Sequence, residues 1–220
     1  MPGFGPVDSE RVISLLIAFV VAITIHEFMH AFTAYKLGDN TAAREGRVTL
    51  NPVSHFDPLG FFMLLFLIFS NFGFAWGRPV PVNPGAFRDP KRGMLLVAAA
   101  GPLSNLVQAV IFALPLWLVP DLLGRLPSFA ISLLSALIFI NLALASFNLI
   151  PIPPLDGHKI LTGLLPNFWY PILAPLERYG FAILLLLLFL PGFFRIDLVG
   201  PMVDPVRIFL SNLILPGRGI

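Results

Sequence analysis

Ile23-Thr-Ile-His-Glu-Phe-Met-His-Ala-Phe32 places His26, Glu27 and His30 inside a run from Val12 to Tyr35 that is otherwise uncharged and apolar. A charged group at the centre of a membrane helix is disfavoured by roughly 2.5–3.5 kcal/mol, so three ionisable side chains there need a partner or a task. On a helix, residues four apart share a face, so His26 and His30 can aim two imidazoles at one point while Glu27 stands beside them. The pattern reads as a metal site at membrane depth, carried by a run long enough to cross a bilayer.

The rest of the chain agrees with that class. Of 220 residues, 57% are hydrophobic and 12% charged, where a soluble domain carries about 25% charged residues. The expected fold is an all-α polytopic membrane protein, with about four to six transmembrane helices and a short β-strand or re-entrant region after the first. Residues 1–220 read as one domain, without internal repeats or low-complexity tracts. The expected spans are residues 12–35, 94–119, 129–165 (broken at 151–157) and 179–194. Residues 59–76 form a further apolar run whose end is interrupted by Asn71 and Gly73, so it either spans or dips and returns. Residues 196–215 mix Asp197, Asp204 and Arg207 with Pro201 and Pro205, which suits an interfacial helix. No cleavable leader is expected, because the first apolar run carries the His/Glu cluster.

The chain contains no cysteine, so a zinc ion would rest on His and carboxylate ligands. Its formal charge of +2 and scattered basic residues give no stripe to track phosphates, which argues against nucleic acid as a partner. Between Arg44 and Pro52, β-branched residues followed by Asn51-Pro52 suggest a short strand and turn whose edge could pair with an extended peptide, or else a simple surface loop.

A catalytic zinc site needs a third protein ligand. Asp156 is the best candidate, the alternative being an ordinary turn aspartate at the interface. It follows Asn148-Leu-Ile-Pro-Ile-Pro-Pro-Leu155, where three prolines must break a helix and Gly157 lets the chain turn. Non-helical backbone at membrane depth is tolerated only where protein buries it or water reaches it, which makes a carboxylate there a site signal. For Asp156 to reach the level of His26 and His30, the helices bearing them should run in the same direction. With residues 94–119 as one antiparallel span, residues 59–76 must then be re-entrant. In that arrangement Lys36, Arg44, Arg47, Arg78, Arg88, Lys91, Arg92, Lys159 and Arg178 lie on one side, against Arg11, Arg125, Arg195, Arg207 and Arg218 on the other. The richer side is the cytoplasmic one by the positive-inside rule, and the metal lies nearer to it.

Taken together, the residues resemble the site-2 proteases, intramembrane zinc metalloproteases that cut membrane-embedded segments of other proteins. His26-Glu-Phe-Met-His-Ala31 is similar to that family's metal and base motif, and Asn148 to Gly157 to its Asn-x-x-Pro and Leu-Asp-Gly motif. Ala100-Gly-Pro-Leu-Ser-Asn105 resembles the small-residue motif of the helix between them. Gly46 to Pro52 and His55 to Gly60 resemble the loop of compact members without PDZ or CBS domains. The resemblance implies that His26, His30 and Asp156 hold one zinc ion and that Glu27 is general base and acid. Asn148 would help position the substrate. Asn105 could add a second amide for it or simply tie helices together.

It further implies transmembrane protein substrates in a lipid bilayer and regulated intramembrane proteolysis as the process; the absence of targeting segments suggests the plasma membrane of a prokaryote. Met29 and His158 depart from the family pattern; Met29 could alter packing or access, and His158 could be a donor behind the ligands or a competing ligand. His55 and Asp57, just before Pro58, read as turn or capping residues. Two rival readings are a non-catalytic zinc-binding membrane protein that binds transmembrane helices, and a metal transporter, against which the single concentrated site argues.

Overall fold

The computed structural model describes residues 9–70, 74–119, 121–194 and 200–214, and of residues 190–194 the backbone alone. Eight α-helices run through these residues in the order α1 (Ser9–Lys36), α2 (Thr41–Arg44), α3 (Pro58–Ser70), α4 (Pro90–Leu118), α5 (Ser128–Asn148), α6 (Asp156–Leu164), α7 (Tyr170–Phe194) and α8 (Gly200–Ile214). Four helical stretches are long and apolar enough to cross a membrane: α1, α4, α5 and Asn167–Phe189, most of which belongs to α7. The protein is a polytopic all-α membrane protein.

Local chemistry sets the ends of these helices. Asp89 accepts a hydrogen bond from Arg92 N at 3.1 Å, and Pro90 follows it at the first helical position, where no N–H is needed. The α5 helix ends at Asn148 because Pro151, Pro153 and Pro154 cannot continue it, and α6 begins five residues beyond Pro151.

The helices α1, α4 and α5 pack on one another, α6 packs on α4, and α8 packs on α5. Small residues make the close approach possible. Ser14, Ala18 and Ala22 recur at every fourth position along α1, as do Gly101, Asn105, Ala109 and Ala113 along α4, and all are buried. One apolar core joins Ala109, Ala113 and Leu116 of α4 to Ile138 and Leu142 of α5 and Leu210 and Ile214 of α8. A second seats Leu184 and Leu188 of α7 on Ile150 and Leu155, beside the proline break. Phe19 and Ile23 of α1 pack on Leu64 of α3.

The strand expected between Arg44 and Pro52 does not form, and there is no strand anywhere among the described residues. A ladder needs a partner, and here local side chains take its hydrogen bonds. Asn51 N donates to Thr49 Oγ1 at 3.2 Å, Asn51 Oδ1 accepts from Val53 N at 3.1 Å, and His55 Nε2 donates to Thr49 O at 2.8 Å. Arg47 is buried and forks across to the carbonyls of Arg78 and Pro79, tying the loop to the irregular 74–83 segment.

The 13 described residues of α3 span about 20 Å at 1.5 Å per residue, short of the roughly 30 Å of hydrocarbon. Asn71 and Gly73, which the sequence reading took as its interruption, lie outside the described residues, as do Arg195, Asp197 and Arg218. The α8 helix, whose mixed composition suggested an interfacial position, turns Leu210 and Ile214 onto α4 and α5 and pairs Arg207 with Asp204 at 3.1 Å.

Candidate metal centre

The i, i+4 spacing on α1 does bring the two imidazoles to one point. His26 Nε2 and His30 Nε2 stand 3.0 Å apart, and both rings are buried. Asp156, the first residue of α6, reaches the same place from across the bundle. Its Oδ2 lies 3.3 Å from His26 Nε2 and 3.1 Å from His30 Nε2. Among the described residues, this is the group of His, Cys, Asp or Glu side chains that could hold a metal ion.

Hydrogen bonds behind the rings fix which nitrogen is free. His30 Nδ1 lies 2.7 Å from the carbonyl of Val97, and His26 Nδ1 lies 2.6 Å from Asn105 Oδ1. A carbonyl oxygen only accepts, so each Nδ1 carries a proton, and in the neutral ring Nε2 keeps its lone pair. Two imidazole lone pairs and a carboxylate oxygen therefore converge within 3.3 Å in a buried space. The second partner of each ring also holds its orientation, as is general for metal-ligating histidines.

Two glycines open the space. A Cβ on Gly101 of α4 would stand 2.5 Å from His30 Cε1 and 2.6 Å from His26 Cε1, so any side chain there would displace the two imidazoles. A Cβ on Gly157 would stand 2.5 Å from Ile150 O, so only glycine lets the first turn of α6 lie against the end of α5 and deliver Asp156.

Glu27 is buried on α1 next to His26. Gly77 crosses its flank, since a Cβ there would stand 3.5 Å from Glu27 Cγ and 2.7 Å from Ile23 Cγ1. Val20, Ile23, Thr24 and Glu27 lie along one helical stripe. The first three of them line a mostly apolar, partly open cavity of about 220 Å³, together with Phe56, Phe61 and Trp76.

The remaining sequence candidates separate. Asn148 ends α5 and donates its Nδ2 to Leu144 O at 3.0 Å, leaving the side chain partly buried at the lip of the proline break. Asn105, read from the sequence either as a substrate amide or as a tie between helices, is fully buried, and its amide is used within the protein. Its Oδ1 faces His26, and its Nδ2 donates to Ala22 O at 3.3 Å and to Asn141 Oδ1 at 2.8 Å. His158 is buried, but it is not in the metal group, and its Nε2 makes no hydrogen bond. His55 and Asp57 serve the loop: Asp57 Oδ1 accepts from Gly60 N at 2.7 Å at the start of α3. Gly101, the Val97 carbonyl and Asn141 were not picked out from the sequence as parts of the site. The available signals were a glycine in Ala100-Gly-Pro102 and an asparagine inside the apolar α5.

The profile of the family described as Peptidase family M50 matches residues 124–190, which include Asn148 and Asp156. The chain is 41% identical over 181 residues to "Putative zinc metalloprotease YwhC" of Bacillus subtilis, covering 80% of each protein. It is 33% identical over 200 residues to "Putative zinc metalloprotease Rip2" of Mycolicibacterium smegmatis, covering 86% of this chain and 72% of the relative. With "Putative zinc metalloprotease MJ0611" of Methanocaldococcus jannaschii it shares 34% identity over 169 residues, 74% of this chain and 76% of that one. No solved structure matches the chain.

Proposed function

The chain belongs to peptidase family M50, the site-2 proteases, and from that premise we propose that it is a zinc endopeptidase cutting peptide bonds in or near transmembrane segments of other proteins. The observation that carries this reading is the convergence of His26 Nε2, His30 Nε2 and Asp156 Oδ2 at 3.0–3.3 Å with both Nδ1 atoms tied behind them. Around zinc held tetrahedrally at about 2.0–2.1 Å, neighbouring ligand atoms stand about 3.3 Å apart, and two His with one carboxylate is a known catalytic donor set. The residues therefore fit the ion.

When bound there, zinc supplies the Lewis acidity that polarises a peptide carbonyl and makes water acidic enough to attack near neutral pH. The chain's own groups do the rest. Glu27 accepts the proton of the attacking water and returns it to the leaving nitrogen. Asn148, with its Nδ2 on Leu144 O, keeps its Oδ1 for an N–H of the substrate. The apolar cavity along the Glu27 stripe suits a side chain of an unwound segment. The strand suggested near Arg44–Pro52 is not preformed, so substrate binding would have to supply the order. With the metal nearer the basic side, hydrolysis occurs towards the cytoplasmic face of a plasma membrane.

The test is purified protein in detergent or nanodiscs with a helix-destabilised transmembrane substrate. Glu27→Gln is expected to lower turnover by about 10²–10⁴-fold while zinc content is unchanged. Asp156→Asn is expected to lose zinc as well as activity. No cleavage by zinc-loaded wild type across a varied panel of transmembrane substrates would falsify the reading and leave a zinc-binding membrane protein.

A further inference from the structure

We propose that Asn141 is a positioning residue for the metal centre: acting through Asn105, it holds His26 in the tautomer whose Nε2 is free to bind metal. This rests on the reading of His26, His30 and Asp156 as metal ligands.

The direction of each hydrogen bond in the chain follows from its fixed end. The carbonyl of Leu137 lies one turn before Asn141 on α5 and only accepts, so Asn141 must turn its Nδ2 towards it, at 2.8 Å. Asn141 Oδ1 then faces α4, where it accepts from Asn105 Nδ2 at 2.8 Å. That orients Asn105 Oδ1 towards α1, where it lies 2.6 Å from His26 Nδ1. The proton on His26 is thereby placed on Nδ1. If the Asn105 amide were reversed, an N–H would face Nδ1, the proton would move to Nε2, and the ring could not ligate.

Both asparagines are fully buried, so no water replaces a lost partner. The other tie on Asn105, from Nδ2 to Ala22 O, is longer at 3.3 Å. The two histidines are thus held differently. His30 meets a backbone carbonyl directly, at Val97, and needs no relay. His26 depends on a side-chain amide, which has two orientations, and of the two acceptors that select between them Asn141 Oδ1 makes the shorter contact. The relay also crosses the three packed helices α5, α4 and α1, so the register of the bundle reaches the metal through it.

The experiment measures zinc affinity of the whole chain by chelator competition for wild type, Asn105→Leu, Asn141→Leu, the double variant and Asn141→Asp. A neutral aspartic acid in place of Asn141 keeps both an acceptor for Asn105 and a donor for Leu137 O, whereas a leucine keeps neither. Loss of a partner behind a ligand typically weakens metal binding about 10–100-fold. Asn105→Leu is expected in that range and Asn141→Leu near its lower end, about tenfold. The double variant should be no weaker than Asn105→Leu, since Asn141 acts only through Asn105. Asn141→Asp should stay within about threefold of wild type. If Asn141→Leu does not accumulate as folded protein, Asn141→Ala, which also lacks the acceptor, is read the same way.

An Asn141 variant lacking the acceptor that binds zinc like wild type, or a double variant whose losses multiply, overturns the proposal while the metal reading stands. Wild type that binds no zinc overturns the metal reading and this proposal together.

Discussion

Gly101 carries no chemistry, yet the metal centre depends on it. Its missing side chain leaves room for both imidazoles, and a methyl group there would overlap His30 Cε1 and His26 Cε1 at 2.5 and 2.6 Å. Neither ring can retreat, because each Nδ1 is held from behind. Gly101→Ala is therefore expected to lower zinc affinity by at least about tenfold, a loss like that from disturbing a ligand's support. Circular dichroism should show the helix content unchanged, since alanine is the better helix former. Unaltered zinc binding in this variant would show that α4 can move away from the ligands. The sequence placed Gly101 in a small-residue motif without saying what it packs against. What it packs against is the pair of imidazoles of the candidate metal centre, which no local pattern states.

At the scale of elements, the end of α1 is tied to its neighbours by one carboxylate. Asp39 is buried; its Oδ1 accepts from Thr41 N at 2.9 Å and from the Thr41 hydroxyl, and its Oδ2 accepts from Asn83 N at 2.7 Å. Burial opposes the charge, but the bonds from Thr41 and Asn83, with Arg44 nearby, outweigh it and hold the Asp39 carboxyl below its ordinary value. The folded pKa is thus lower than the unfolded one. The stabilisation is present in full above the unfolded value of about 4 and is lost as pH falls through the depressed folded value. Asp39→Asn should lower stability at neutral pH by about 1.5–3 kcal/mol, the worth of hydrogen bonds to a charged group. The gap in melting temperature between wild type and variant should narrow as pH falls below about 4, and a gap that stays constant would contradict the assignment. The elements themselves divide in legibility. Three prolines announced the end of α5, and apolar length announced α1, α4 and α5. The absent strand was misread because β-branched residues suggest extended backbone, while Thr49, Asn51 and His55 captured the hydrogen bonds a ladder would use.

At the scale of the molecule, the side of the membrane on which each loop lies follows from whether α3 crosses. With α3 re-entrant, Arg44 and Arg88 lie on one face and Arg125 on the other. The natural chain has no cysteine, so single Arg44→Cys, Arg88→Cys and Arg125→Cys variants map this without a background. All three positions are exposed in the structure. In oriented membranes an impermeant maleimide should label positions 44 and 88 from the cytoplasmic side and position 125 from the opposite side. Labelling of 44 and 88 from different sides would mean that α3 and its flanks complete a crossing.

What the sequence determined by itself were features of short range: apolar runs long enough to span, two candidate ligands from their spacing on one helix, and a third candidate marked by prolines that no helix can absorb. These follow from backbone geometry and solvation, which act over a few residues. Only the tertiary structure decided what stands behind those ligands. The clearance at Gly101, the Val97 carbonyl and the path from Asn141 through Asn105 to His26 arise where α1, α4 and α5 come together. Hydrogen bonds and excluded volume act only at contact, and residues 36 and 79 positions apart are brought into contact by packing, not by spacing.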